Sequence, residues 1–457
     1  MRQILGLSLA SLSLIMPIAA GQPLLWHRHF DGSDGLTDMG FAVTVDGAGN
    51  VITAGSSVGL GTGQDFIVVK YDRNGHTLWS QRYDGPGHSR DMGWNVVADR
   101  FGNVIVLGDS IGNGTDNDIA IVKYAPDGQF LWTRRYDGPE HGWDGTEGGR
   151  NLTTDGAGNV LVCGTSYSSA SDYDVITMKL SPAGTLMWLR RYDGPLGAYD
   201  DAFGIAVDAA GDIYVGGDTQ DASGVEDIMT LKYDANGNLL WQRQYGTPQW
   251  DGLSAMTLDG AGNLLVTGFV SYPSEDYVTL KYDASGSLLW ARTYDGPEGG
   301  WDVALAIATN RDGNVCVTGE SANHYDSAYA TVMYDAGGKQ LWAQRYEGSY
   351  DYYGADAPGC VDFDQDGNLY VTGLSWGGVE TGMDVATLKY AHDGTLLWED
   401  RFDGPVHGDD GAAGLVLDRN GDVYVVGVSM SGADGQDVLV LKYAGSPRTF
   451  VPSASHP

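Results

Sequence analysis

The sequence predicts an all-β fold: an eight-bladed β-propeller of four-stranded antiparallel blades, closed by an N-terminal strand that completes the last blade. Three observations carry this: a tryptophan ruler that recurs every 49 to 56 residues, four short apolar runs in each repeat, and a composition hostile to helix. The ruler is Trp26, Trp79, Trp132, Trp188, Trp241, Trp290, Trp342 and Trp398. Each stands in a run of the LLWxRRYDG kind, and three others fill the unit, such as FAVTVD, NVITAGSS and DFIVVKYD. These runs are rich in Val, Ile, Thr and Tyr and bounded by Gly and Asp, the pattern of strands between tight turns. The 68 glycines argue against helices, whose interiors tolerate glycine poorly.

A small four-stranded unit cannot bury its own apolar face, so the units must stack, and stacking in a ring makes a propeller. We name the strands A to D in chain order, LLWxRRYDG being D. The chain opens on a lone D strand at Trp26 and closes on A, B and C, ending near Tyr443. Joining these ends in one blade removes the unpaired edge.

The step from strand C to strand D never slips: Lys70 to Trp79, Lys123 to Trp132 and Lys389 to Trp398 all differ by nine, and the sixth unit keeps it with Met333 and Trp342. A D-x-x-G turn explains the constancy, with Asp bonding the backbone and Gly taking positive φ. The A-to-B turns (DGAGN, DQDGN, DRNGD) behave alike; DQDGN lacks the acid at its twelfth position, Ser375, that a calcium loop needs. Asp stands five residues before the Lys in seven units, and Ala328 replaces it where Met333 replaces Lys. That joint loss suggests a bridge between blades or simple divergence.

Repeats of the form D-x-x-G-N-x-Y-V-T-G, followed by D-x-x-T-x-K-Y-D-x-x-G-x-L-L-W, resemble the bacterial exported β-propeller repeats called SBBP repeats. The likeness runs from Trp26 to Tyr443. It implies a propeller; the family name implies seven blades where the ruler counts eight, and it implies little about activity.

Residues 1–21 read as a signal peptide, with one basic residue, an apolar middle and small residues before the cleavage point. They imply export to the periplasm or the extracellular space. Residues 22–445 form the propeller, and 446–457 a short tail expected to be disordered. No later segment is apolar for the ~18 residues of a membrane span. Sixty acidic against 26 basic residues give a net charge of −34, which disfavours nucleic acid or an anionic membrane surface as partner. The three cysteines, Cys163, Cys316 and Cys360, read as buried thiols. A monomer is expected.

In an up-and-down blade the A-to-B and C-to-D turns share one face, and the B-to-C and D-to-A loops share the other. From the Asp of YDG to the Asn of GN is usually 19 residues, but 22 after Asp137, shorter in the fifth unit and longer in the seventh. Length change and function both belong on the loop face. The five Trp outside the ruler, Trp94, Trp143, Trp250, Trp301 and Trp376, map to those loops or to the strand starts beside them. Trp143, Trp250 and Trp301 each precede an Asp, as do Tyr199 and Tyr350; Tyr352 follows close by. Aromatic faces beside carboxylates suit a glycan or an extracellular protein.

The Asp seven residues after that of YDG recurs as Asp38, Asp91, Asp144, Asp200, Asp302 and Asp410; with Asp251, which follows Trp250, the strand-A aspartates give the candidate metal set Asp91, Asp144, Asp200, Asp251, Asp302 and Asp410. Around a channel mouth these carboxylates would repel unless paired with Arg82, Arg135, Arg191, Arg345 and Arg401, or bridged by a cation. Arginine pairing is the simpler expectation; calcium is the ion considered, and no other cofactor is expected. The leading reading is a binding or scaffold protein that takes its ligand on the loop face. The alternative is a metal-assisted enzyme, a lyase or hydrolase or one of quinoprotein type, at an acidic channel mouth; His88, His141 and His407 lack the spacing of a ligand cluster.

Overall fold

The computed structural model describes residues 24–445 apart from 33–34, 147, 298, 323–326, 349–354 and 433–434; the signal-peptide and tail assignments lie outside the described residues. Eight antiparallel sheets form a closed ring, each innermost strand packing on the next and the eighth on the first. Blade 1 runs Asp38–Val45, Val51–Gly59, Gly63–Tyr71 and Thr77–Tyr83 from the channel outward. Blades 2 to 8 begin at Asp91, Asp144, Asp200, Asp251, Asp302, Asp356 and Asp410. In blade 8 the outermost strand is Leu24–Phe30, antiparallel to Gln436–Tyr443 with Trp26 opposite Lys442. The closure expected from the strand order is present.

Strands B and C are buried along nearly their whole length because neighbouring blades cover both of their faces, and each inter-blade core joins two sheets. Strand D forms the rim and buries only part of its surface. In seven blades strand A carries a bulge, as between Gly40 and Ala42 or Gly93 and Asn95. The extra residue is turned inward, so Phe41, Trp94 and Leu305 line a central cavity of about 480 Å³. The repeated glycine of strand B follows from the same feature: a Cβ on Gly55 or Gly108 would overlap the carbonyl of Met39 or Met92.

Blade 3 enlarges this bulge. Its innermost strand is split into Asp144–Gly145 and Leu152–Thr154, and Gly148, Gly149 and Arg150 between them line the channel. Asn95 donates to the Gly149 carbonyl at 2.7 Å, and Thr146 is held by Asp109. The three extra residues after Asp137 therefore lie in the channel wall and not on the loop face, where length change was expected. The fifth unit does shorten on the loop face, with five residues from Gly246 to Asp251 in place of seven.

The turn face explains the ruler. Asp72 accepts from the amides of Asn74 and His76 at 2.8 and 2.9 Å, and Gly75 takes φ 79°, which fixes the length of the C-to-D turn. Lys70 and Trp79 face each other across the C–D pair, and both donate to the carbonyl of Pro126 in the next blade's turn, at 3.0 Å. Lys123 and Trp132 use Pro182 O, and Lys442 and Trp26 use Arg73 O, carrying the clasp across the closure. Trp398 has no such turn to meet, because strands C and D of blade 8 come from opposite ends of the chain, and its Nε1 is unpartnered. The turn at Asp364 is of the same plain kind, its carboxylate accepting from the amides of Asp366 and Asn368.

The lysine's ionic partner lies in its own A-to-B turn: it is the turn's first Asp in Lys70–Asp46 and Lys123–Asp99, both at 2.9 Å and both buried, and the turn's last residue in Lys232–Asp212 and Lys442–Asp422, at 3.0 and 2.9 Å. It is not the Asp five residues earlier, which lies at the other end of strand C. In blade 6 Met333 replaces the lysine and Asn310 replaces its aspartate, so both charges are lost together.

Candidate functional site

The Asp that precedes each lysine by five residues starts strand C at the loop face, where it meets the arginine of strand D. Asp65 pairs with Arg82 at 2.9 Å and Asp384 with Arg401 at 3.0 Å; Asp118–Arg135 and Asp174–Arg191 are equivalent. Arg82 also donates to Ser57 O at 2.8 Å. The strand-D arginines thus serve the strand-C aspartates and not the ring of strand-A aspartates for which pairing was expected. Arg28, Arg243 and Arg292, one position earlier, instead donate to glycine carbonyls of neighbouring turns.

The strand-A aspartates do not ring the channel either. Each lies in the junction between two blades, where one of its oxygens accepts from the amide of the YDG glycine: Gly85 to Asp91 at 2.7 Å, Gly194 to Asp200 at 2.6 Å, Gly296 to Asp302 at 2.8 Å, Gly404 to Asp410 at 2.6 Å. Asp144 does the same with Gly138, and Asp251 with Thr247. This brackets the loop from strand D into the next blade.

Each junction also gathers the Asp of YDG. Asp65, Asp84 and Asp91 each place one carboxylate oxygen within 4.8 Å of the other two, as do Asp118, Asp137 and Asp144. The same spacing, D-x18-D-x6-D, brings together Asp174, Asp193 and Asp200, and Asp276, Asp295 and Asp302. Asp437, Asp31 and Asp38 repeat it across the closure. Charges this close repel by roughly 3 kcal/mol per pair at an effective dielectric near 20. Burial, reinforced by the charges of Asp118 and Asp137, pushes Asp144 up to about 6; burial, with Asp174 and Asp193, pushes Asp200 up to about 6.

His88, His141 and His407 belong to these junctions. Each sits four residues after the YDG aspartate in left-handed backbone, φ 45° to 56°, and its Nδ1 bonds that carboxylate at 2.6 to 2.7 Å. Gly197 and Gly299 take the same conformation at the same position, so the turn does not need histidine. The ring fixes one oxygen of the YDG aspartate. The three histidines lie at separate junctions and form no common ligand set.

Two junctions break the pattern. Between blades 4 and 5, Gly246 replaces the YDG aspartate and Gln244 the arginine; between blades 6 and 7, Ala328 replaces the strand-C aspartate and Glu347 that of YDG. A Cβ on Gly246 would overlap Asp227 Oδ1, so that oxygen faces the position the missing carboxylate would fill. Burial, with the charges of Asp221 and Asp251, pushes Asp227 up to about 6.

The aromatic candidates divide into three groups. Trp94 lines the channel, its Nε1 donating to Asp109 at 2.8 Å and its ring 4.5 Å from Phe41. Trp143 and Tyr199 are half-buried and both meet Tyr173, at 5.7 and 5.4 Å, in an aromatic cluster that includes Tyr167. Trp376 is half-buried in the second strand of blade 7. Trp250 and Trp301 project from the loops on either side of blade 5, 55% and 43% exposed, and Tyr272 in that blade's own B-to-C loop is 56% exposed. Tyr272 was not singled out in the sequence because it lies outside the Trp–Asp pattern. Tyr350 and Tyr352 lie outside the described residues. Other exposed apolar residues of the loop face are Leu60, Val379, Leu196 and Val406, whereas the turn face exposes Phe101.

No protein-family model matches the chain, and no curated protein matches it in sequence. Among solved structures it is similar to Sqt1 of Chaetomium thermophilum, with a TM-score of 0.53 and 12% identity over 93% of this chain and 98% of that one. It is equally similar to the same organism's Sqt1 bound to the N-terminus of ribosomal protein L10, with a TM-score of 0.52 and 12% identity over 91% and 98% of the two chains. At this identity the likeness concerns the fold, and the chain is an eight-bladed β-propeller.

Proposed function

We propose that this chain is an exported propeller of the SBBP-repeat type that captures a protein partner on its loop face, in the sector around blade 5. The observation that carries the reading is the exposure of Trp250, Tyr272 and Trp301 on three neighbouring loops of that sector. Aromatic side chains of this kind supply the anchors of protein interfaces. The repeat also departs from its pattern here, with a shortened loop and a missing carboxylate, as befits a sector specialised for a partner. A protein fits better than a glycan because Asp251 and Asp302, next to the two tryptophans, are fully buried and engaged by the amides of Thr247 and Gly296, which leaves no exposed carboxylate there for sugar hydroxyls. The similar propeller Sqt1, which binds the N-terminus of a ribosomal protein, is a precedent for a disc of this kind holding a protein segment.

The test is a displayed peptide library and a glycan array, both probed with the mature chain and with Trp250→Ala, Tyr272→Ala and Trp301→Ala variants. We expect peptide ligands whose affinity falls by at least about 30-fold, near 2 kcal/mol, when an anchor is removed. Ligands unaffected by all three substitutions, or glycan ligands alone, contradict the proposal.

A further inference from the structure

At the first two complete junctions the carboxylates are engaged on one side only. Asp65 Oδ2 accepts from Arg82 and from Thr62, and Asp118 Oδ2 from Arg135 and Thr115. Asp84 Oδ2 and Asp137 Oδ2 face His88 and His141. The Oδ1 atoms of all four are buried and have no hydrogen-bond partner. Asp65 and Asp118 are 0% and 3% exposed, so neither carboxylate can turn to water. The overlap of Asp227 Oδ1 with a Cβ on Gly246 shows which way this oxygen points in the repeat: into the cluster.

An ionised oxygen left bare in the interior is costly, and the cost recurs at junction after junction. At four of the triads three carboxylates against one guanidinium leave two negative charges, the amount a divalent cation neutralises; across the closure His29 stands at the arginine's position. Between blades 5 and 6 the imbalance is larger, since Thr293 stands at the arginine's position beside Asp276, Asp295 and Asp302. All the donors are oxygens, which selects a hard ion, and an irregular set built on carboxylates suits calcium better than the strict octahedron of magnesium. The two broken junctions lose a carboxylate and alter a second position at the same time, as expected if the residues serve one ligand.

We propose that each complete triad is a calcium site, clamping strands C and D of one blade to strand A of the next, with six such groups beneath the loop face. Asp118 and Asp137 offer their free Oδ1 atoms and Asp144 an oxygen from the facing blade. The more exposed Asp137 marks the side from which the ion enters and water completes its shell. The arginine and histidine are positioning residues: each holds the second oxygen of a ligand and so aims the first. Five of the six lie outside the sector around blade 5, the sixth adjoins Trp301 through Asp302, and none depends on what the partner surface captures.

The full chain, stripped with chelator and titrated with Ca2+ by calorimetry, tests this. Several ions per chain are expected, up to six, with Asp137→Asn and Asp84→Asn each lowering the stoichiometry by one. Asp227→Asn, at the broken junction, leaves the stoichiometry unchanged. No uptake at millimolar Ca2+ by the stripped chain, folded as judged by circular dichroism, overturns the proposal. So does an unchanged stoichiometry in both triad variants, or an equal fall in Asp227→Asn.

Discussion

On the turn face, Asp99 meets Lys123 at 2.9 Å, accepts from the side chain of Asn103 at 2.8 Å, and has no bare oxygen. On the loop face of the same blades, Asp118, Asp137 and Asp144 crowd together with one arginine, at Asp118, to balance them and with their Oδ1 atoms unpartnered. Both faces bury aspartate, but one builds neutral pairs and the other an excess of negative charge. Burial raises Asp99, yet the bonds from Asn103 and Lys123 outweigh it and hold the carboxyl below its ordinary range; burial prevails at Asp144. The lesson is that a repeat can keep one face as a self-sufficient clasp and leave the other to be completed by something that is not protein.

The largest expected effect is on the self-sufficient side. Lys123→Met leaves Asp99 buried without its cation, and denaturant unfolding is expected to show a loss of about 3 kcal/mol. Adding Asp99→Asn should restore more than half of it, because blade 6 folds with that very combination, Met333 and Asn310. A double variant no more stable than the single one breaks the comparison at its turn-face end.

A smaller effect of opposite sign is expected at the broken junction. Asp227 keeps its proton longer when folded than when unfolded, so its ionisation opposes folding; the penalty is absent below the unfolded pKa near 4 and complete above about 6. Asp227→Asn should therefore stabilise the protein by about 1 kcal/mol at pH 7, after allowance for solvent screening, and by nothing at pH 4. Equal effects at both pH values would remove charge from the explanation.

Much of the fold was legible in the sequence because each repeat states it again. The nine-residue step from Lys70 to Trp79 needs only a local turn, and the closure follows from which strands begin and end the chain. The site was legible in pieces. The spacings of 19 and 7 that join Asp65, Asp84 and Asp91 are printed in the sequence, yet the three come from strands C and D of one blade and strand A of the next. Only the inter-blade packing makes them neighbours, so Asp65 was read beside its lysine and Asp91 as part of a channel ring. The lysine's true partner, Asp46, left a trace that could have been found: Met333 and Asn310 change together. Trp94 looked like a loop residue because a bulge, invisible in the pattern of apolar residues, turns it into the channel. Tyr272 carried no repeating signal, and its exposure emerged only with the loops in place.

The account's central claim is that the loop-face junctions are completed by calcium while the turn face stands on its own, and peptide-resolved hydrogen exchange with and without the ion tests it most directly. On chelation, exchange is expected to quicken at least tenfold in segments 84–93 and 137–146, and to stay unchanged in the turns at 46–50 and 72–77 and at the broken junction, 246–252. Equal loss of protection on both faces, or no change at the triads, would contradict it.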